Sequence, residues 1–229
     1  MAHVDSETGR LHLHVVYDGA PWSGKTTSLW ALARRFGRSV ETPEERQGRT
    51  LYFDWLDVAG GRYREAPIQC RIIAVPGQLE LAARRNLILE AADAVVFVAD
   101  TTADRFAATL AHHDDLLGRL STRDRTVPVV AQLNKRDAED VIDLAEVRAR
   151  FVGTSACTFA SVATDGAGVQ EAFVLAVGEA IRALRRVESA HPIQPLPEPG
   201  HLDLADPVTL YEQMVGWDTR RNLPRDDST

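Results

Sequence analysis

Gly19-Ala20-Pro21-Trp22-Ser23-Gly24-Lys25-Thr26 fits the spacing G-x-x-x-x-G-K-[ST], a pattern whose chemistry is the cradling of phosphate. Gly19 and Gly24 stand where the backbone must turn tightly and approach phosphate oxygens. Lys25 can reach β and γ phosphates, and the Thr26 hydroxyl can bind Mg2+. Backbone N–H groups from Trp22 through Thr27, at the start of a helix, supply the remaining positive potential. Lysine usage points the same way. The chain has 26 Lys and Arg residues, yet lysine occurs only at Lys25 and Lys135. A compact ammonium is kept at two places in a sequence that otherwise uses the wide guanidinium fork.

Lys135 belongs to the second constellation, Asn134-Lys135-Arg136-Asp137, directly after an apolar run. A carboxylate at Asp137 can accept from both N1–H and the 2-amino group of guanine, a donor pair that adenine lacks. A site built on such donors strongly rejects the analogue without them. The backbone N–H groups of Val162 and Ala163, at the end of the next expected strand, are placed to meet guanine O6.

The elements that must position these groups follow from periodicity. Residues 11–17 read as a strand and 26–36 as a helix with Leu29, Leu32, Ala33 and Phe36 on one side. Residues 37–50 form a polar loop. Residues 51–58 and 68–75 form a hairpin turning at Ala59-Gly60-Gly61-Arg62. Helices over 79–90, 102–120, 140–151 and 169–187 then alternate with strands over 94–99, 127–133 and 157–162. The expected fold is therefore α/β, a mostly parallel six-stranded sheet with helices on both faces and ligands at the carboxyl ends of the strands. Residues 1–10 read as a flexible lead, 11–187 as the nucleotide domain and 188–205 as a proline-rich linker. Residues 206–229 read as a helix and tail, with Asp206 as cap and Pro207 at the first position.

A net charge of −7 argues against non-specific nucleic-acid binding and against an electrostatic membrane anchor. The apolar run 91–99 is interrupted by Asp93 and is too short to span a bilayer. Residues 1–10 are polar and give no expectation of a signal peptide. Cys70 and Cys157 are expected to be buried, reduced thiols of a cytoplasmic protein. His12 and His14 share one strand face, but no nearby residue completes a metal site.

Taken together, Gly24-Lys25-Thr26-Thr27, Arg49-Thr50-Leu51-Tyr52-Phe53-Asp54, Val75-Pro76-Gly77-Gln78, Phe97-Val98-Ala99-Asp100 and Asn134-Lys135-Arg136-Asp137 resemble the Ras-like small GTPases, and among them the bacterial MglA family. The resemblance covers residues 11–187. It implies a Ras-like P-loop GTPase fold and a GTP/GDP switch whose mobile segments are residues 37–50 and 76–83. Thr26 and Thr50 would hold Mg2+, and Lys25 and Gly77 would bind the phosphates. Gln78 would orient the attacking water, and Arg49 would act as an arginine finger supplied by the chain itself. A roadblock-domain activator and an effector are the implied partners.

Two departures bear on catalysis. Ala74 replaces the aspartate that Ras-like proteins generally place near Mg2+, and Pro21-Trp22 replaces glycine and an aliphatic residue in the phosphate loop. The expectation is slow intrinsic hydrolysis that a partner accelerates. The competing reading is a GTP-binding scaffold with negligible turnover; Asn134 to Asp137 argues against a nucleotide kinase. Tyr52, Phe53 and Trp55 load an expected sheet edge with aromatics, either for burial or for docking a partner.

Overall fold

A computed structural model describes residues 2–5, 8–42, 53–75 and 82–190. The chain divides into residues 1–192 and 193–229. The second unit, which takes in most of the expected linker and all of the expected C-terminal helix, lies outside the described residues. So do Arg49, Thr50, Tyr52, Gly77 and Gln78.

One sheet organises the first unit, with strands β1 (His3–Val4), β2 (Leu11–Asp18), β3 (Asp54–Tyr63), β4 (Ala66–Ala74), β5 (Ala94–Asp100), β6 (Val129–Asn134) and β7 (Cys157–Ala160). The order is β3-β4-β2-β5-β6-β7, with β1 pairing antiparallel to β2. From β4 to β7 every pairing is parallel; only β3 and β1 run antiparallel to their neighbours. Such strands are buried on both faces and read as continuous apolar runs. In β5 and β6 every residue is buried.

The helices are α1 (Lys25–Phe36), α2 (Ala82–Ala91), α3 (Ala103–Ser121), α4 (Leu144–Phe151) and α5 (Val169–Ala190). Alternation within each strand separates two cores. Leu13, Val15, Tyr17, Val96 and Val98 pack with Leu29 and Leu32 of α1 and Ala172, Phe173 and Ala176 of α5. α2, α3 and α4 lie over the other face, where Phe97, His113 of α3 and Phe151 of α4 pack in tilted and edge-on pairs with ring centroids 4.8–6.1 Å apart. Because α1 carries the chain from β2 to the β3–β4 side of the sheet and α2 then carries it from β4 to β5 on the other side of β2, the carboxyl end of β2 lies at a topological switch point. Open α/β sheets bind ligands at such a crevice.

Four expectations change. The hairpin turns at Arg64-Glu65, because Gly60 and Gly61 stay within β3 and are absorbed by a register shift between Ala59 and Arg62. Within the expected lead, His3–Val4 pairs with β2, and Ala2 donates its N–H to Asp93 at 2.6 Å. Helix α4 starts at Leu144 rather than near 140, because Asp143 caps it by accepting from the N–H groups of Ala145 and Glu146. Cys70 is buried, whereas Cys157 is exposed, since it opens β7 at the rim of the sheet. Phe53 is buried and lies 5.8 Å from Trp55 on the edge strand β3.

Candidate nucleotide site

The loop between β2 and α1 sits at the switch point, and its glycines are there for space. A Cβ on Gly19 would lie 2.4 Å from the Val98 carbonyl oxygen, and one on Gly24 would lie 2.2 Å from Asn134 Nδ2. Trp22, with φ of 67°, takes a left-handed conformation that costs a non-glycine residue about 1–2 kcal/mol. Its side chain is 83% exposed, and Pro21 is also exposed, so neither side chain fills the loop. Ser23 is fully buried beneath it.

Lys25 lies across the loop and donates from Nζ to the carbonyls of Gly19 and Ala20, both at 2.8 Å. Burial pushes its pKa down to about 8, with Asp18 acting in the opposite direction. The unfolded chain holds this proton to about pH 10.5 and the folded chain to about pH 8. Between those values the unfolded state binds more protons, so Lys25 makes stability rise with pH across that window. We expect the nucleotide-free protein to gain stability from about pH 8 upward relative to Lys25→Met, which lacks the increment; thermal melts of both proteins across the window check it. Bound phosphate, by restoring charge balance, should abolish the difference.

Thr26 extends from the first turn of α1 and donates its hydroxyl to Asp54 Oδ2 at 2.9 Å, while Thr42 donates to Asp54 Oδ1 at 3.0 Å. Asp54 opens β3, and in the antiparallel register it pairs with Ala74. The carboxylate absent from β4 is thus present on the adjacent strand, against the hydroxyl expected to bind Mg2+. Asp54 ends the Arg49-to-Asp54 run in sequence, and only strand register reveals its place. Hard oxygen donors of this kind, a hydroxyl beside a carboxylate, fit Mg2+.

On the opposite side, Asn134 joins three loops. Its Nδ2 donates to the Ser23 carbonyl at 2.8 Å, and its Oδ1 accepts from the Ala163 N–H at 2.9 Å and the Ser161 hydroxyl at 3.2 Å. Lys135, with φ of 64°, places Nζ 2.6 Å from Asp100 Oδ2. Asp100 is held in turn by the N–H and hydroxyl of Thr102. Arg136 braces the turn from below through the Thr101 hydroxyl and the Ile142 carbonyl. Asp137 is exposed, with no hydrogen bond or ion pair among the described residues.

One expectation is corrected. The Val162 N–H donates to the Ala167 carbonyl at 3.0 Å and the Ala163 N–H is taken by Asn134, so neither is free for a base. The turn that closes residues 162–167 consumes the first, and the loop-joining role of Asn134 consumes the second. Thr164, exposed beside them, has an N–H with no acceptor among the described residues.

The structure therefore gathers Gly19, Ser23, Gly24, Lys25, Thr26, Asn134, Lys135 and Ala163 around one crevice. Comparison with curated sequences gives 30% identity over 177 residues to the mutual gliding-motility protein MglA of Myxococcus xanthus, covering 74% of this chain and 90% of that protein. The chain belongs to the MglA family of Ras-superfamily small GTPases. No family model matches it. Among solved structures, the Arl6 (BBS3) small GTPase of Trypanosoma brucei with bound GppNp superposes with a TM-score of 0.56 at 22% identity, covering 75% of this chain and 99% of that one, which shows the shared fold. Membership in the MglA family carries guanine-nucleotide binding and GTPase chemistry in general terms. Among the described residues no helix is long and apolar enough to cross a membrane.

Proposed function

We propose that the chain is a GTP/GDP-dependent molecular switch of the cytoplasm that binds guanine nucleotide with Mg2+ and hydrolyses GTP slowly until a partner assists. The observation that carries this reading is Asn134, which ties the phosphate loop to the loop after β7 while the neighbouring Asp137 carboxylate stays exposed for a base.

In this reading Lys25 gives up the Gly19 and Ala20 carbonyls and turns to the β and γ phosphates. Thr26 and Thr50 would hold the ion, and Asp54 would support it from β3 with the carboxylate that position 74 lacks. When bound, Mg2+ neutralises charge on the β and γ oxygens. Gln78 orients the attacking water and Arg49 stabilises the charge that develops, a contribution of about 10³- to 10⁵-fold for arginines so placed. Arg49, Thr50 and Gln78 enter on the family resemblance alone. A roadblock-domain activator and an effector are the proposed partners, with the β3 edge as a docking strand.

Asp54→Ala is expected to lower GTP affinity about tenfold in Mg2+ and to leave affinity in EDTA unchanged, on the scale of one lost charge-assisted contact. Titration with labelled nucleotide in both buffers checks it, and an equal loss in both would remove Asp54 from the metal's surroundings.

A second reading, a scaffold that binds GTP with negligible turnover, is favoured by Ala74 and Pro21. Titration of the nucleotide-stripped protein with GTP, GDP and ATP, followed by phosphate release in a single turnover, separates the two. Guanine-selective binding with slow release that Gln78→Ala abolishes supports the switch. Fast release without any partner overturns the proposed dependence on an activator, and no release even with candidate activators supports the scaffold.

A further inference from the structure

Beneath the phosphate loop lies an ionic cluster that the nucleotide chemistry leaves unexplained. Asp18, the last residue of β2, is fully buried. Its Oδ1 accepts from the Gly19 N–H at 2.7 Å. Arg85 of α2, only 3% exposed, grips the same carboxylate side-on, with Nε 3.0 Å from each oxygen and Nη2 2.7 Å from Oδ2. The other arm, Nη1, reaches Asp115 of α3 at 2.5 Å, and Asp115 also accepts from Arg119 Nε at 2.8 Å. His112 Nε2 stands 3.7 Å from Asp18 Oδ1.

A buried ion pair is weak evidence for stability, since well-packed apolar residues of similar volume often serve as well. What marks this pair is its position. Gly19 donates its N–H to Asp18 and offers its carbonyl to Lys25, so the carboxylate backs the very residue on which the phosphate-binding ammonium rests. Both charges are felt there: Asp18 raises the pKa of Lys25, and Arg85 lowers it. An uncompensated carboxylate at this depth would repel bound phosphates through a poorly screened medium.

We propose that Asp18 and Arg85 are positioning residues for the nucleotide phosphates, Asp18 fixing the Gly19 turn while Arg85 holds that carboxylate and cancels its charge beneath the loop, which ties α2 to the discrimination between tri- and diphosphate. The proposal rests on the guanine-nucleotide reading of the same crevice.

The test is the ratio of GppNp affinity to GDP affinity in excess Mg2+, because a general loosening of the loop weakens both nucleotides, whereas charge beneath the loop acts more on the nucleotide with the extra phosphate. Arg85→Met should lower the ratio about threefold or more, and Asp18→Asn should raise it by a similar factor. Arg85→Lys keeps the charge and should leave the ratio unmoved. The neutral double variant D18N/R85M, which leaves neither charge uncompensated, should return the ratio to that of the unmodified protein and guards against misfolding of either single variant. Ratios that move in the same direction, or that stay fixed while melting temperature falls, overturn this inference alone. Failure of the unmodified protein to bind either nucleotide overturns the reading of the site and this inference with it.

Discussion

Asp137→Ala should lower affinity for GDP and GTP by about 10³-fold or more while leaving the melting temperature within about 2 °C of the unmodified protein. The two halves of this expectation have separate causes. Asp137 is exposed and makes no hydrogen bond or ion pair among the described residues, so its removal leaves no buried group unsatisfied; surface substitutions of that kind usually fall within about 0.5 kcal/mol. Toward guanine, however, the carboxylate accepts two hydrogen bonds at once. Losing it strands both donors of the base against the protein, a larger penalty than the loss of apolar contact. Equilibrium titration with labelled GDP, paired with a thermal melt, checks both halves. A loss under about tenfold, or a gain in ATP binding that restores affinity, would place the base elsewhere.

Asn134→Ala, three residues away, should do something different in kind. Its side chain is 2% exposed and satisfies the Ser23 carbonyl, the Ala163 N–H and the Ser161 hydroxyl. Truncation leaves these polar groups buried without partners and opens space against Gly24, where the amide nitrogen and the backbone already approach closely. At about 1–3 kcal/mol for each of the three unsatisfied groups, folding stability should fall by about 3 kcal/mol or more. Guanine affinity should also fall about 10²-fold, because the phosphate loop and the loop after β7 are no longer held in register. Asn134→Asp should not rescue. It restores an acceptor for Ala163 but sets a carboxylate against the Ser23 carbonyl. Denaturant unfolding and nucleotide titration of both variants provide the check, and a stable Asn134→Ala protein with weakened binding would mean that the three loops are held by other contacts.

The contrast between these neighbours shows where sequence reading reaches its limit. Spacing pointed to a phosphate loop, because the pattern from Gly19 to Thr26 encodes local backbone requirements: residues without Cβ, an ammonium and a hydroxyl at fixed offsets. With the α/β alternation as context, it also pointed to the Asn134-to-Asp137 turn as the place for a base. Strand and helix alternation yielded the sheet and its helices, since a strand buried on both faces is legible as a run of apolar residues, as in residues 94–99 of β5. Element ends were less legible. The start of α4 depended on the Asp143 cap, and the hairpin kept Gly60 and Gly61 within β3 through a register shift.

What the sequence by itself determined, then, is an α/β frame and membership of a small-GTPase family, together with the chemistry that consecutive residues offer to a phosphate and a base. What only tertiary structure decided are relations between residues far apart along the chain. Asp54 stands opposite Ala74 because two antiparallel strands fix their register, and no count along the chain reports that the carboxylate missing from one strand is offered by the other. Arg85 meets Asp18 across 67 residues because α2 packs over the end of β2. The N–H groups of Val162 and Ala163, free for a base on paper, are spent on Ala167 and Asn134 once the loops close. Hydrogen-bond satisfaction and charge balance are properties of neighbours in space, and the fold chooses those neighbours.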